Sequence, residues 1–107
     1  IMCREPRYYS PTITAVMLPE GHDADAFRNL ALDTFNISYG TSFGRYSGKY
    51  FRIGHLGDVN DGMLMGALSI TEMALMLAGV PHKKGGAQAA LDYLIAAHGS
   101  PSRAAAE

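Results

Sequence analysis

Arg52 stands inside a run of strand-forming residues, Tyr50-Phe51-Arg52-Ile53-Gly54, which continues as His55-Leu56-Gly57. Two large apolar neighbours and a β-branched one predict an extended backbone that is at least half buried. A guanidinium does not shed its proton, so in such a place it needs an anionic partner. None lies in the run itself; the nearest carboxylates, Asp58 and Asp61, follow two glycines. A fixed cation whose partner is missing from its own strand has the form of a carboxylate or phosphate site. The plainer alternative is an edge-strand arginine that reaches solvent or pairs with a distant acid.

The other reactive residue types form no constellation. His22, His55, His82 and His98 lie in four different elements without ligand spacing, which argues against a metal site. His55, three residues after Arg52, would reach the same pocket, or else is a solvated or backbone-bonded turn histidine. Gly40, Gly44 and Gly48 recur every four residues, but Lys49 is followed by Tyr50 rather than Ser or Thr, against a nucleotide-binding loop. Ser42, Tyr46 and Ser47 have no base placed by the sequence to activate them. Four of the six methionines, Met63, Met65, Met73 and Met76, recur at helical spacing as core filler.

The elements that position these residues are legible from period and punctuation. Residues 1–10 have no period and read as an entering linker. Residues 12–18 alternate between Pro11 and Pro19 as a strand. Asp23 is the expected N-cap of a helix over 25–36, with Phe27, Leu30, Ala31, Thr34 and Phe35 at helical spacing. A short strand is expected over 37–40, a loop or hairpin connection over 41–48, then the Arg52 strand. Asp58, Asn60 and Asp61 begin a nearly apolar helix over 62–80, in which only Ser69, Thr71 and Glu72 are polar, and Gly79 with Pro81 ends it. Glu72 would cost roughly 2–3 kcal/mol at the centre of a bilayer, which favours a helix outside a membrane. So apolar a helix needs cover on more than one side, from another domain or a partner subunit. A last amphipathic helix over 86–97 sets Ala87, Ala90, Leu91, Leu94 and Ile95 on one face, and 99–107 read as a disordered tail. The expected fold is α+β, a small, mostly antiparallel sheet with helices packed on one face in the order β-α-β-β-α-α, over residues 11–98.

At 107 residues the chain is one domain, 48% hydrophobic, 18% charged and of net charge −1. The nine lysines and arginines are scattered, with only Lys83-Lys84 adjacent, which speaks against nucleic acid. Cys3 is the single cysteine, so no internal disulfide is possible and a reducing, cytoplasmic setting is expected. Arg4, Glu5, Pro6 and Arg7 stand where a signal peptide would carry its apolar core. A start at Ile1 rather than methionine is expected of a segment from a longer polypeptide.

Three stretches carry a resemblance. Ser10-Pro11-Thr12-Ile13-Thr14 opens a strand that ends Leu18-Pro19-Glu20-Gly21. Gly48-Lys49-Tyr50-Phe51-Arg52-Ile53-Gly54-His55-Leu56-Gly57-Asp58 is followed by Asn60-Asp61. Ala78-Gly79-Val80-Pro81 precedes the last helix. Together they resemble the C-terminal small domain of class V, fold-type I aminotransferases, with His55 leaning toward the serine–glyoxylate and alanine–glyoxylate members. The resemblance implies a homodimeric, pyridoxal-phosphate-dependent enzyme that transfers the amino group of serine, or a similar small amino acid, to glyoxylate. Related class V members using alanine or 2-aminoethylphosphonate are the runners-up, and a non-enzymatic α+β amino-acid-binding module is the rival from outside the class. The resemblance makes Arg52 the residue that grips the α-carboxylate of the amino acid and of the oxo acid. It places the cofactor lysine, and the Asp that pairs with the pyridine nitrogen, in a large domain of the same polypeptide. Lys49, Lys83 and Lys84 match neither, so no catalytic or cofactor residue is expected in this segment, and the segment alone should be inactive.

Overall fold

The computed structural model describes residues 1–99. A two-stranded antiparallel sheet pairs β1 (Ile13–Met17) with β2 (Tyr50–Gly54), and three helices follow the order β1-α1-β2-α2-α3: α1 (Ala24–Phe35), α2 (Asp61–Leu77) and α3 (Gly86–His98). The expected α+β class and order of the long elements are present, with boundaries within about three residues of those read from the sequence. Except for Gly99, the tail expected over 99–107 lies outside the described residues.

The ends of the helices follow from their side chains. Asp23 accepts a hydrogen bond from the Asp25 backbone N–H at 2.9 Å and starts α1; Asn60 does the same for Met63 at 2.8 Å and starts α2. Asn36 ends α1 in the left-handed conformation, φ 55°. Gly79, φ 69°, ends α2: the Val80 N–H reaches back to Leu75 O and the Gly79 N–H to Met76 O, closing a Schellman motif. A side chain at position 79 would be held in a conformation that disfavours it.

The segment expected as a strand over 37–40 makes one bridge only, Gly40 with Arg52, by reciprocal backbone bonds of 2.9 and 3.0 Å. The residues before it are claimed by α1 and α2. Arg28 on α1 donates its Nε–H to Tyr39 O at 3.0 Å, and the Tyr39 hydroxyl lies 2.6 Å from Thr71 Oγ1 on α2. Thr71 gives its own proton to Ala67 O, so Tyr39 is the donor to Thr71. Burial raises the pKa of this phenol, and the Thr71 hydrogen bond offsets part of the rise.

The register sets Thr14 opposite Ile53, Ala15 opposite Arg52, and Val16 opposite Phe51. Alternation along the strands puts Val16, Phe51 and Ile53 on the side of the helices, where they join the core, and Ala15 and Arg52 on the other. Phe27, Tyr39 and Phe51 form the centre of that core, with ring centroids 4.7 to 5.5 Å apart. Phe27 and Phe51 are the largest fully buried side chains. The later helices are far less covered. Only Thr71 and Ala74 of α2 are buried, no residue of α3 is, and Met63, Met73, Met76, Leu77, Leu91 and Ile95 are exposed. Among the described residues no helix is long and apolar enough to cross a membrane.

Candidate functional site

Arg52 is half-buried in β2, on the sheet face away from the helices. Its stem lies against Gly40. A Cβ added at Gly40 would sit 3.1 Å from Arg52 Cβ and Nε and 3.2 Å from Cζ, so glycine is what lets the side chain pass. The Nε–H donates to Thr41 O at 2.8 Å, and Cζ lies 4.7 Å from the centre of the Phe43 ring. Phe43 is itself held: its backbone N–H donates to the Tyr50 hydroxyl at 3.3 Å, and the neighbouring buried Ser42 accepts from the Gly48 N–H at 2.7 Å. The 41–48 connection is thus closed on itself by the Ser42–Gly48 bond and tied to the strand that carries Arg52 by the Phe43–Tyr50 bond.

The ion pairs among the described residues are Arg7–Glu5, Arg28–Asp25 and His98–Asp61; Arg52 takes part in none. Its contacts are a carbonyl and an aromatic face, neither of which neutralises it. Such a cation, half-buried and oriented, is chemically equipped to take a planar anion through its remaining N–H groups. A prominent hollow lies elsewhere. It is an open cleft of about 720 Å³ lined by residues including Glu20, His22, Asp23, Asp25 and Lys49, and Arg52 is not among its walls.

His55 does not join Arg52. Its Nδ1 lies 3.1 Å from Pro11 O and its Nε2 2.9 Å from Thr14 Oγ1. A carbonyl only accepts, so Nδ1 carries a proton, and in the neutral ring Nε2 accepts from the Thr14 hydroxyl. The ring ties the end of β2 to the start of β1, a backbone-bonded turn histidine. His98 pairs with Asp61 at 2.8 Å, and His82 Nδ1 donates to Val80 O at 2.8 Å. Tyr46 lies beside the Arg45 guanidinium, and Ser42 is spent on Gly48.

The residues present do not fit pyridoxal phosphate. Lys49, Lys83 and Lys84 are exposed. Lys49 sits on the cleft that also holds Glu20, Asp23 and Asp25, where a phosphate would meet three carboxylates. The three helix N-termini are occupied by acids or an amide of the chain itself: Asp23 caps α1, Asn60 caps α2, and the Glu72 carboxylate accepts from Gly85 N at 2.6 Å and Gly86 N at 3.2 Å at the start of α3. These bonds, that to Gly85 foremost, hold the Glu72 carboxyl below its usual range, with burial opposing and the remaining backbone bonds and His82 adding to them.

Sequence reasoning singled out Arg52 and missed what holds it. Gly40, Thr41 and Phe43 lie 9 to 12 positions upstream, and no spacing rule links them to the strand. The Gly40–Arg52 bridge and the Phe43–Tyr50 bond bring them there.

No family model matches the chain. Curated relatives do. It is 43% identical over 87% of its length to serine–glyoxylate aminotransferase of Hyphomicrobium methylovorum, and 39% identical over 79% to L-aspartate–glyoxylate aminotransferase of Paracoccus denitrificans. The crystal structure of ureidoglycine–glyoxylate aminotransferase from Bacillus subtilis superposes on 77% of the chain with a TM-score of 0.69 at 34% identity. The chain spans 23% and 22% of the length of those two curated relatives, and 22% of that crystallised chain. A small two-stranded sheet backed by helices, with an arginine projecting from the uncovered face, is thus the small domain of an aminotransferase. The chain belongs to the class V, pyridoxal-phosphate-dependent aminotransferases.

Proposed function

We propose that this chain is the substrate-gripping small domain of an enzyme that moves the amino group of serine, or of a similarly small amino acid, to glyoxylate. Both substrates carry a carboxylate beside the reacting carbon, so one fixed guanidinium serves both half-reactions. The observation that carries the reading is the Arg52 side chain, oriented by Thr41 and Phe43 and engaged by no acid among the described residues. A planar fork bonded to both carboxylate oxygens fixes the position of the neighbouring carbon, which is what a transfer at that carbon requires. Lysine would supply the charge without the plane.

The cofactor would supply the electron sink for the chemistry at that carbon. The residues of this chain bind and orient, and we assign the holding of the cofactor to a large domain of the same polypeptide. The exposed apolar sides of α2 and α3 support packing against such a domain or a second subunit, and they count against a self-contained amino-acid-binding module. A homodimer in the cytoplasm is the form we propose, on the strength of that surface and the single free cysteine, Cys3. The L-aspartate donor of the Paracoccus relative makes aspartate the second donor to try.

The test is Arg52→Ala in the intact polypeptide. Loss of a hydrogen bond to a charged group is worth about 1.5–3 kcal/mol, so KM for serine and for glyoxylate should each rise by roughly 10- to 150-fold. Arg52→Lys should recover little of it. An absorbance band that shifts with serine and reverts with glyoxylate identifies donor and acceptor together. Unchanged KM values in Arg52→Ala would overturn the reading.

A further inference from the structure

The Arg52 guanidinium has two edges on which a carboxylate can form a paired contact: Nε with one terminal nitrogen, or the two terminal nitrogens together. One of these is already closed. Nε donates to Thr41 O at 2.8 Å, and the adjacent stem is laid against Gly40, where an added methyl group would crowd it at 3.1 Å. Cζ of the guanidinium lies over the Phe43 ring, 4.7 Å from its centre, on a residue fixed through its own N–H to Tyr50. Three contacts therefore hold the stem, close the Nε edge and seat the group over an aromatic ring before any ligand arrives.

We propose that Gly40, Thr41 and Phe43 form a cradle that presents only Nη1 and Nη2 of Arg52, so that a carboxylate is taken end-on and in one plane, with Phe43 as a positioning residue of the site. This rests on the reading of Arg52 as the carboxylate grip and adds how the grip is oriented. Thr41 acts through its backbone carbonyl, so its side chain is replaceable. Gly40 acts through the absence of a side chain. Phe43 acts through its ring face and is 60% exposed, so replacing it leaves the core intact. Holding the long side chain in advance removes rotamer entropy that binding would otherwise have to overcome.

Phe43→Leu and Phe43→Tyr in the intact polypeptide separate the ring face from mere bulk. Phe43→Leu should raise KM for serine and for glyoxylate together, by about fivefold, the size of a partly desolvated cation–π contact, while Phe43→Tyr stays near the parent. Gly40→Ala should raise both further, on the order of tenfold, because the guanidinium must shift from the Cβ. A purely structural role for Phe43 would lower the unfolding midpoint of both variants and would not separate Tyr from Leu. Nitrogen-15 spectra of arginine-labelled protein give a readout apart from turnover. The Arg52 Nε–H should be ring-shifted and slow to exchange without ligand, should lose the shift in Phe43→Leu, and should move less than the Nη protons on saturation with glyoxylate. Equal KM values for Phe43→Leu, Phe43→Tyr and the parent, in a protein where Arg52→Ala still weakens both substrates, would overturn the cradle while leaving the grip. An Nε–H that moves more than the Nη protons would overturn the end-on geometry. If Arg52→Ala itself has no effect, grip and cradle fall together.

Discussion

Tyr39 and Thr71 carry a hydrogen bond whose role is to hold the cradle's floor. Tyr39 precedes Gly40, so the bond from its hydroxyl to α2 fixes where the chain turns onto β2. Thr71→Val keeps the shape and removes the acceptor, which leaves a buried phenol without its partner at a cost of about 1–3 kcal/mol. Tyr39→Phe with Thr71→Val together should recover part of that loss, because no polar atom is then stranded. The check is a double-mutant cycle on urea midpoints of the intact polypeptide; additive losses would show that the pair is not coupled. At this scale the sequence spoke for Arg52 alone. An arginine between Phe51 and Ile53 is conspicuous by type. Thr71 looked like one of a few polar residues on an apolar helix, and nothing local paired it with a tyrosine 32 positions earlier.

Between elements, the instructive case is Glu72. In the sequence it stands as the one charge inside a run of apolar residues, and its only local reading is a cost. In the fold it reaches across the Gly79–Lys84 connection and caps the first turn of α3, a helix whose own N-cap is Gly85 and brings no side-chain acceptor. Its folded pKa lies below the ordinary 4.5, so the stabilisation is complete above that value and is lost as pH falls through the folded one. The first-turn amides of α3 should therefore lose hydrogen-exchange protection, measured against the intrinsic rate at each pH, as the solution is acidified through that range. Glu72→Gln should remove that acid-dependent step, and a step that survives the substitution would remove Glu72 as its cause. The short strand expected over 37–40 failed for a related reason: apolar alternation cannot reveal that Arg28 and Thr71 take hold of Tyr39 first. Caps and turns written in adjacent residues, at Asp23, Asn60 and Gly79, were legible throughout.

For the molecule as a whole, the uneven burial of its helices decides what it is. The core gathers α1, the sheet and one line of α2, whereas Met73, Met76 and Leu77 face outward and no residue of α3 is fully buried. That α2 is apolar on most of its circumference was readable from composition. What would cover it was not. Residues 1–99 alone should bind a hydrophobic dye and aggregate, whereas the intact polypeptide should bind no dye and stop at a defined dimer. Leu77→Glu in the intact polypeptide should lower its unfolding temperature or split its subunits, while Thr34→Glu on the exposed side of α1 should not. Equal effects of the two would mean that the apolar side of α2 is ordinary surface. Gly40 has a bearing on the gene as well as on the protein. Every missense change that alters one base of a glycine codon introduces a β-carbon, and at this position each would press on the arginine beside it. Third-base changes in that codon are synonymous, so tolerated change there should be confined to them for as long as the arginine's position matters.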